Sequence, residues 1–276
     1  MASDSNQRSI ELTQHFTNVA SNYRSDSLFQ SPSYQQWLHE ITFNALDLKP
    51  NHTVVDLGCG PGQDSLWLSN KMNKEINLIA SDISSGMMKI LDDEIHKRNL
   101  SSIIKTYCMD AVTFSQQKQL PPFHRLLLKQ FIHLLSHEER LLAFRGFYEQ
   151  LDSNDNKLLI IGRPPKEIFP FDKRTQEIFL SSIPSTETYI QELEMCGFAN
   201  IQYDVYRYTS DGSITLEHWI NFIQNRLWST FSPEHMTDEQ ITDCISYLKD
   251  KYKNEKFQFQ DEMLILHCTA KKFITQ

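Results

Sequence analysis

The sequence has no run of about 18 apolar residues, so it offers no helix that could cross a membrane. Its opening stretch, Met1 to Ile10, is polar and lacks the apolar core of a secretory signal. CxxC pairs and zinc-ligand spacings are missing too. The five cysteines, Cys59, Cys108, Cys196, Cys244 and Cys268, are odd in number and widely scattered, which argues against a disulfide framework and fits a reducing, cytoplasmic setting. There is no dense Lys/Arg run, and the formal charge of −8 gives no general attraction to a polyanion, so no nucleic-acid partner is expected. Repeats of fixed period and low-complexity tracts are absent, which removes solenoids and linker-joined arrays. What remains is a soluble chain of 276 residues, 40% apolar, long enough to bury a full core as one domain and expected as a monomer or homodimer.

The pattern of apolar residues predicts two helices, over Glu11 to Tyr23 and Ser33 to Leu46, ahead of the first strand. A β-prone run from His52 to Leu57 then meets GCGPGQ and a helix from about Asp64 to Asn70, a strand, tight turn and helix in succession. The alternation continues with strands over Asn77 to Ser81, Ile104 to Met109, Phe123 to Lys129 and Lys157 to Ile161. Helices are expected over Ser84 to Arg98, Glu138 to Leu151 and Thr186 to Met195, with closing strands over Ile201 to Tyr208 and Glu262 to Thr269. Alternating elements of these lengths imply an α/β fold: a seven-stranded, mainly parallel, doubly wound sheet covered on both faces. About fifty residues separate the last two strands, too many for a structureless loop. Within them Leu216, Trp219, Ile220, Ile223 and Leu227 keep an apolar helical face, and Thr237 caps a second helix over Asp238 to Tyr252, so a helical lobe is expected at about 213–259.

The chemistry centres on Val54-Val55-Asp56-Leu57-Gly58-Cys59-Gly60-Pro61-Gly62. Glycines at the carboxyl end of a strand let the chain turn sharply and let a ligand approach the backbone. A dinucleotide fingerprint would read GxGxxG; here the spacing is GxGxG, with Pro61 in the turn and Asp56 two positions ahead of the first glycine. An acid beside the turn repels a pyrophosphate and suits a ligand bearing an amine and a sulfonium. Asp82 closes the next strand, where a carboxylate can accept both hydroxyl protons of a ribose. Asp110 closes the third and could accept from an adenine amine. Three acids at three successive strand ends describe a nucleoside with a cationic tail.

With these residues in place, the sequence resembles the class I S-adenosylmethionine-dependent methyltransferases, from about Gln14 to Ile161 and again in the closing strands. The resemblance implies a Rossmann-like domain with S-adenosyl-L-methionine as cofactor. It places Asp56, Gly58 and Gly60 along the methionine part, with Gly62 shaping the turn and Cys59 among the cofactor-binding residues as a small packing residue. Asp82 takes the ribose hydroxyls with Met87 lining the ribose side, Ile83 packs on the adenine, Asp110 binds the adenine amine beside Ala111, and Lys129 contributes backbone near the sulfonium. Tyr23 is similar to a lid tyrosine, with a core aromatic as the alternative. Two departures stand out: the Phe-Asp that usually opens strand four is Phe123-His124, and the usual Pro-Gly-Gly before strand five is Ser153-Asn154-Asp155-Asn156.

For the acceptor, His133 just past strand four is the candidate general base, against a structural histidine at a helix start. Gln130, Arg163, Trp219 and Arg226 are candidate substrate residues; Arg163 could bind a carboxylate, whereas an aromatic at helical spacing such as Trp219 is usually core. His133 and His137 have HxxxH spacing, but Ser136 caps the helix that starts at His137, so the pair straddles a helix boundary and no metal is expected. The Pro-Pro-aromatic tetrad of amino-directed nucleic-acid methyltransferases is absent after strand four, since Leu120-Pro121-Pro122-Phe123 precedes that strand. The expectation is therefore transfer of a methyl group to a small-molecule acceptor. The alternative is a cofactor-binding regulatory or partner subunit without turnover.

Overall fold

In the computed structural model, which describes residues 2–23, 31–167, 169, 171–253 and 257–271, the apolar runs become seven strands. They are β1 (Thr53–Leu57), β2 (Asn77–Asp82), β3 (Ile104–Cys108), β4 (Arg125–Lys129), β5 (Lys157–Gly162), β6 (Phe198–Thr209) and β7 (Gln260–Ala270). They join in one sheet of order β3-β2-β1-β4-β5-β7-β6. Strands β1 to β5 pair in parallel, and β7 runs antiparallel to β5. The helices are α1 (Ala2–Tyr23), α2 (Pro32–Leu46), α3 (Gln63–Lys71), α4 (Ser85–Lys97), α5 (Ala111–Ser115), α6 (His137–Gln150), α7 (Lys173–Ser181), α8 (Thr186–Met195), α9 (Leu216–Gln224) and α10 (Asp238–Lys251). Short polar side chains start most of them: Ser84, Ser185 and Asp172 each accept from a backbone amide three residues on, and Ser136 and Thr237 complete capping boxes with Glu139 and Gln240.

The chain divides into two compact units. The sheet unit comprises His39–Arg163, Pro184–Tyr206 and Met263–Gln276; the helical unit comprises Met1–Leu38, Pro164–Ile183 and Arg207–Glu262. The lobe expected at about 213–259 is thus only part of the helical unit, and residues 254–256 of that stretch lie outside the described ones. Helix α7 belongs to the unit as well, where the sequence reading placed no element. Its signal was Asp172, whose carboxylate accepts from the backbone and hydroxyl of Thr175, followed by the buried Phe179.

Alternation along the central strands sends one set of side chains to each face. Val55, Leu57, Leu126, Leu128, Leu158, Ile160 and Leu266 share a core with Phe114 of α5, Phe144 and Phe147 of α6, and Leu193 of α8. The intervening residues, Asp56 and Lys129 among them, point to the opposite face, where most are buried too. Strands buried on both faces need cover on both sides, the doubly wound arrangement.

At the amino ends of these strands Arg125, 1% exposed, fastens α2 to the sheet. Its Nε donates to the Leu46 carbonyl at 2.6 Å, its Nη2 to the Asp47 carbonyl at 2.9 Å and its Nη1 to Asp155 Oδ1 at 2.8 Å. Asp155 also accepts from Lys49 Nζ at 2.7 Å and faces His52 Nε2 at 3.3 Å. Lys49 and Arg125, against the opposing effect of burial, hold the Asp155 carboxyl well below the ordinary carboxylate range. Both departures from the family pattern work here: Asp155 lies in the turn before β5, and His124 Nδ1 accepts from the Thr53 amide at 3.0 Å while its ring stacks on His52. Strand β4, expected from Phe123, runs over Arg125–Lys129, and Phe123 forms an isolated bridge with Leu151. Arg125→Leu strands the buried Leu46 carbonyl and takes a cation from Asp155, and should cost about 3 kcal/mol in urea unfolding, whereas Lys49→Ala, at an exposed pair, should cost less than about 1 kcal/mol.

Candidate functional site

The three glycines of the turn after β1 do different work. All have positive φ, at 69° for Gly58, 52° for Gly60 and 78° for Gly62, so each occupies a region that side chains disfavour. A Cβ on Gly58 would lie 2.3 Å from the Phe131 ring, and one on Gly62 would lie 2.2 Å from Leu91. Those two glycines let side chains pack. Around Gly60 there is nothing within 4 Å of a Cβ position, so this glycine faces an open cradle. The turn is tied to β2 by the Gly58 and Cys59 amides, which donate to the Ser81 carbonyl at 2.8 and 3.1 Å.

The Asp82 carboxylate completes this tie. It accepts from the Gly60 amide at 2.9 Å on Oδ2 and from the Ser84 amide at 2.8 Å on Oδ1, so its two oxygens are oriented by backbone, each with a lone pair to spare. Burial raises its pKa. Asp110 lies two residues past β3 and caps α5, accepting from the Thr113 amide at 2.9 Å and the Thr113 hydroxyl at 2.6 Å. Ile83 and Ala111 follow these two acids in the chain, and Met87 is buried at the first turn of α4. The Cys59 thiol is buried, and burial with the charges of Asp56 and Asp82 keeps it protonated, a packing residue and no nucleophile.

Beneath the turn lies a buried ionic cluster. Asp56, 2% exposed, accepts from the Ser65 hydroxyl at 2.6 Å. Burial and the neighbouring Asp64 raise its pKa, opposed by Ser65 and Lys129. Asp64 sits in the first turn of α3, where the helix dipole favours an acid, and pairs through Oδ2 with Lys129 Nζ. Its Oδ1 is buried without a hydrogen bond, 3.8 Å from the likewise unbonded His39 Nε2. His39 stacks on Trp67, and its pKa falls from 6.5 to about 4 through burial, with Asp64 opposing and Lys129 reinforcing. Asp64, Ser65 and His39 were absent from the sequence-based site. Asp64 and Ser65 directly follow the glycine turn and read there as the start of a helix, while His39 is hidden in an amphipathic run.

The residues proposed for the acceptor belong partly to the sheet unit and partly to the helical unit. Gln130, at φ 58° just after β4, accepts from Arg163 Nη1 at 2.6 Å and lies 3.6 Å from Met263 Sδ. These two candidates meet at the carboxyl ends of β4 and β5. His133 is half-buried in a short 3₁₀ turn, Ile132–Leu134, in the same stretch. His137 instead hydrogen-bonds Glu192 at 2.7 Å, on the helix that Ser136 caps. Among the described residues no group of three His, Cys, Asp or Glu is placed to hold a metal ion, and no helix is long and apolar enough to cross a membrane. In the helical unit, Tyr23 ends α1, Trp219 is buried among Phe169, Phe171, Phe222 and Trp228, and Arg226 donates to the Phe231 and Met236 carbonyls and to Asp238. The Arg226 guanidinium therefore closes the turn between α9 and α10.

Residues 54–154 match the model of a methyltransferase domain. A stretch of 104 residues is 27% identical to (S)-coclaurine N-methyltransferase of Thalictrum flavum subsp. glaucum, covering 37% of this chain and 27% of that enzyme; the match thus spans about a quarter of the relative's length. Phosphoethanolamine N-methyltransferase 2 of Haemonchus contortus, solved with S-adenosyl-L-methionine, superposes with a TM-score of 0.55 at 15% identity over 84% of this chain and 52% of its own. The geranyl diphosphate C-methyltransferase of Streptomyces coelicolor gives 0.54 at 11% over 86% and 79%, and the cyclopropane synthase MmaA2 of Mycobacterium tuberculosis 0.56 at 15% over 85% and 84%. The sheet has the fold of these structures, and residues 54–154 within it match a methyltransferase domain.

The His39 environment has a consequence for stability. The unfolded chain binds a proton near pH 6.5 that the folded site resists until about 4, so folding stability contributed by neutral His39 is present above 6.5 and is lost as pH falls across that window. Urea unfolding from pH 7 to 4 should show a smaller loss for His39→Gln than for the wild-type chain. Some slope will remain, because burial lowers His52 in the same sense.

Proposed function

We propose that this protein transfers a methyl group from S-adenosyl-L-methionine to a small-molecule acceptor. The observation that carries the reading is the open cradle at Gly60 beside the backbone-oriented carboxylate of Asp82. The cofactor supplies an electrophilic methyl group. The residues present fit it: Gly60 leaves room for close approach, and Asp82 retains acceptor capacity for two vicinal hydroxyls. The buried Asp56 and the unbonded Asp64 Oδ1 offer negative potential that a cationic amino acid moiety would meet. The Asp110 carboxylate, already a cap, keeps lone pairs for an exocyclic amine. Lys129, by pairing with Asp64, neutralises one of the two buried acids. The formal sum over Asp56, Asp64, Asp82, Asp110 and Lys129 stays negative, towards a ligand of positive charge.

Rate enhancement in this reading comes from positioning and exclusion of water. Gln130 and Arg163, held to each other at the ends of β4 and β5, are assigned to acceptor binding. His133 is assigned as the base for an acceptor that must lose a proton. The acidic charge and the absence of a dense basic run support a small molecule over a nucleic acid.

Calorimetry should find S-adenosylmethionine and S-adenosylhomocysteine binding at one site. Asp82→Ala should weaken both by roughly 10- to 100-fold, about 1.4 to 2.8 kcal/mol, in keeping with loss of two hydrogen bonds to a charged group. No binding by the wild-type chain would reject the reading. A screen of metabolite pools with methyl-labelled cofactor would identify the acceptor. If that acceptor is a hydroxyl or a protonated amine, His133→Ala should lower kcat by about 10²- to 10⁴-fold with cofactor affinity unchanged. A kcat within about threefold of wild type from roughly pH 6 to 9 would remove His133 as the base.

A further inference from the structure

The helical unit contains a cavity of about 530 Å³, within the range of roughly 300–1,000 Å³ occupied by small-molecule sites. Among the described residues Phe169, Phe171, Tyr247, Tyr252, Phe257 and Phe259 line it, an aromatic wall suited to a flat ring. Gln176 of α7 also lines the cavity and is 8% exposed. Its Nε2 donates to the Phe169 carbonyl, which fixes the amide and leaves Oε1 buried with no donor. A buried acceptor without a partner is costly, and a donor arriving in the cavity would relieve it. Four charges stand among the lining residues, Lys173 and Lys251 against Glu167 and Glu177, and their sum is zero. That balance gives no net attraction to an anion or a cation.

We propose that this cavity is a binding site for an uncharged aromatic small molecule that carries one hydrogen-bond donor, accepted by Gln176 Oε1. None of its lining residues belongs to the glycine turn or the three strand-end acids, so the site stands independently of methyl transfer. A fluorescence titration of the full chain with 2-naphthol, and with 2-methoxynaphthalene as the same ring system without a donor, tests it. Saturable one-to-one binding of 2-naphthol is expected, with the ether weaker by roughly 3- to 10-fold, the worth of one net hydrogen bond. Gln176→Met keeps the volume and removes the acceptor; it should bring 2-naphthol down to the affinity of the ether. Leu180→Trp, at the cavity wall, should abolish binding of both and serves if Gln176→Met does not fold by circular dichroism. S-adenosylhomocysteine should bind both variants within about twofold of wild type and should not displace 2-naphthol. Displacement, equal affinities of the two probes, or an unchanged preference in Gln176→Met would overturn the proposal. If 2-naphthol binds as described while S-adenosylhomocysteine binds nowhere, the cavity survives and the methyltransferase reading falls.

Discussion

The backbone amides of Gly60 and Ser84, converging on the carboxylate of Asp82, are the contacts on which the site depends. They join the turn after β1 to the start of α4 and so set the separation of the first two strand ends. Everything at this edge of the sheet is indexed to that separation: the left-handed turn, the burial of Asp56 below it, and the direction in which Asp82 offers its remaining lone pairs. A carboxylate oriented by backbone loses little freedom when it meets a ligand, which is the physical content of preorganisation.

Much of this was legible in the residues. Alternation of β and α runs gave the sheet, and GxGxG with Asp82 and Asp110 at successive strand ends gave the class. Helix starts were readable wherever a short polar residue stood before an apolar run; the Ser136 cap with Glu139 is an instance. The misses have common causes. Helix α7 follows an irregular stretch after β5, and its Asp172 cap precedes a helix whose buried face includes polar Thr175 and Gln176, so its pattern is muted. The cluster of His39, Asp64 and Lys129 draws on three elements far apart in the chain, and no local spacing announces it. The partners of Arg226 were likewise beyond local reading, being the carbonyls of a turn that only the folded chain assembles.

The structural relatives show why the acceptor is a separate question from the fold. Proteins with this architecture at TM-scores near 0.55 are named for an amine of phosphoethanolamine, a carbon of geranyl diphosphate and a cyclopropane. The shared sheet therefore does not name an acceptor, because function follows from the residues of the individual site. The helical unit of this chain is a body of its own, with dense aromatic packing around Phe169 and Trp219.

The unequal surroundings of the three glycines also bear on how such a chain would diverge. Gly58 and Gly62 are fixed by Phe131 and Leu91, neighbours that belong to the protein itself, so their loss harms folding whatever the protein does. Gly60 has no such neighbour, and a residue tolerant of the left-handed region, such as asparagine, could stand there at modest cost to the fold. In a lineage that drifted away from cofactor use, Gly60 would be free to change while its companions stayed. That single position is where descent with function and descent without it would part.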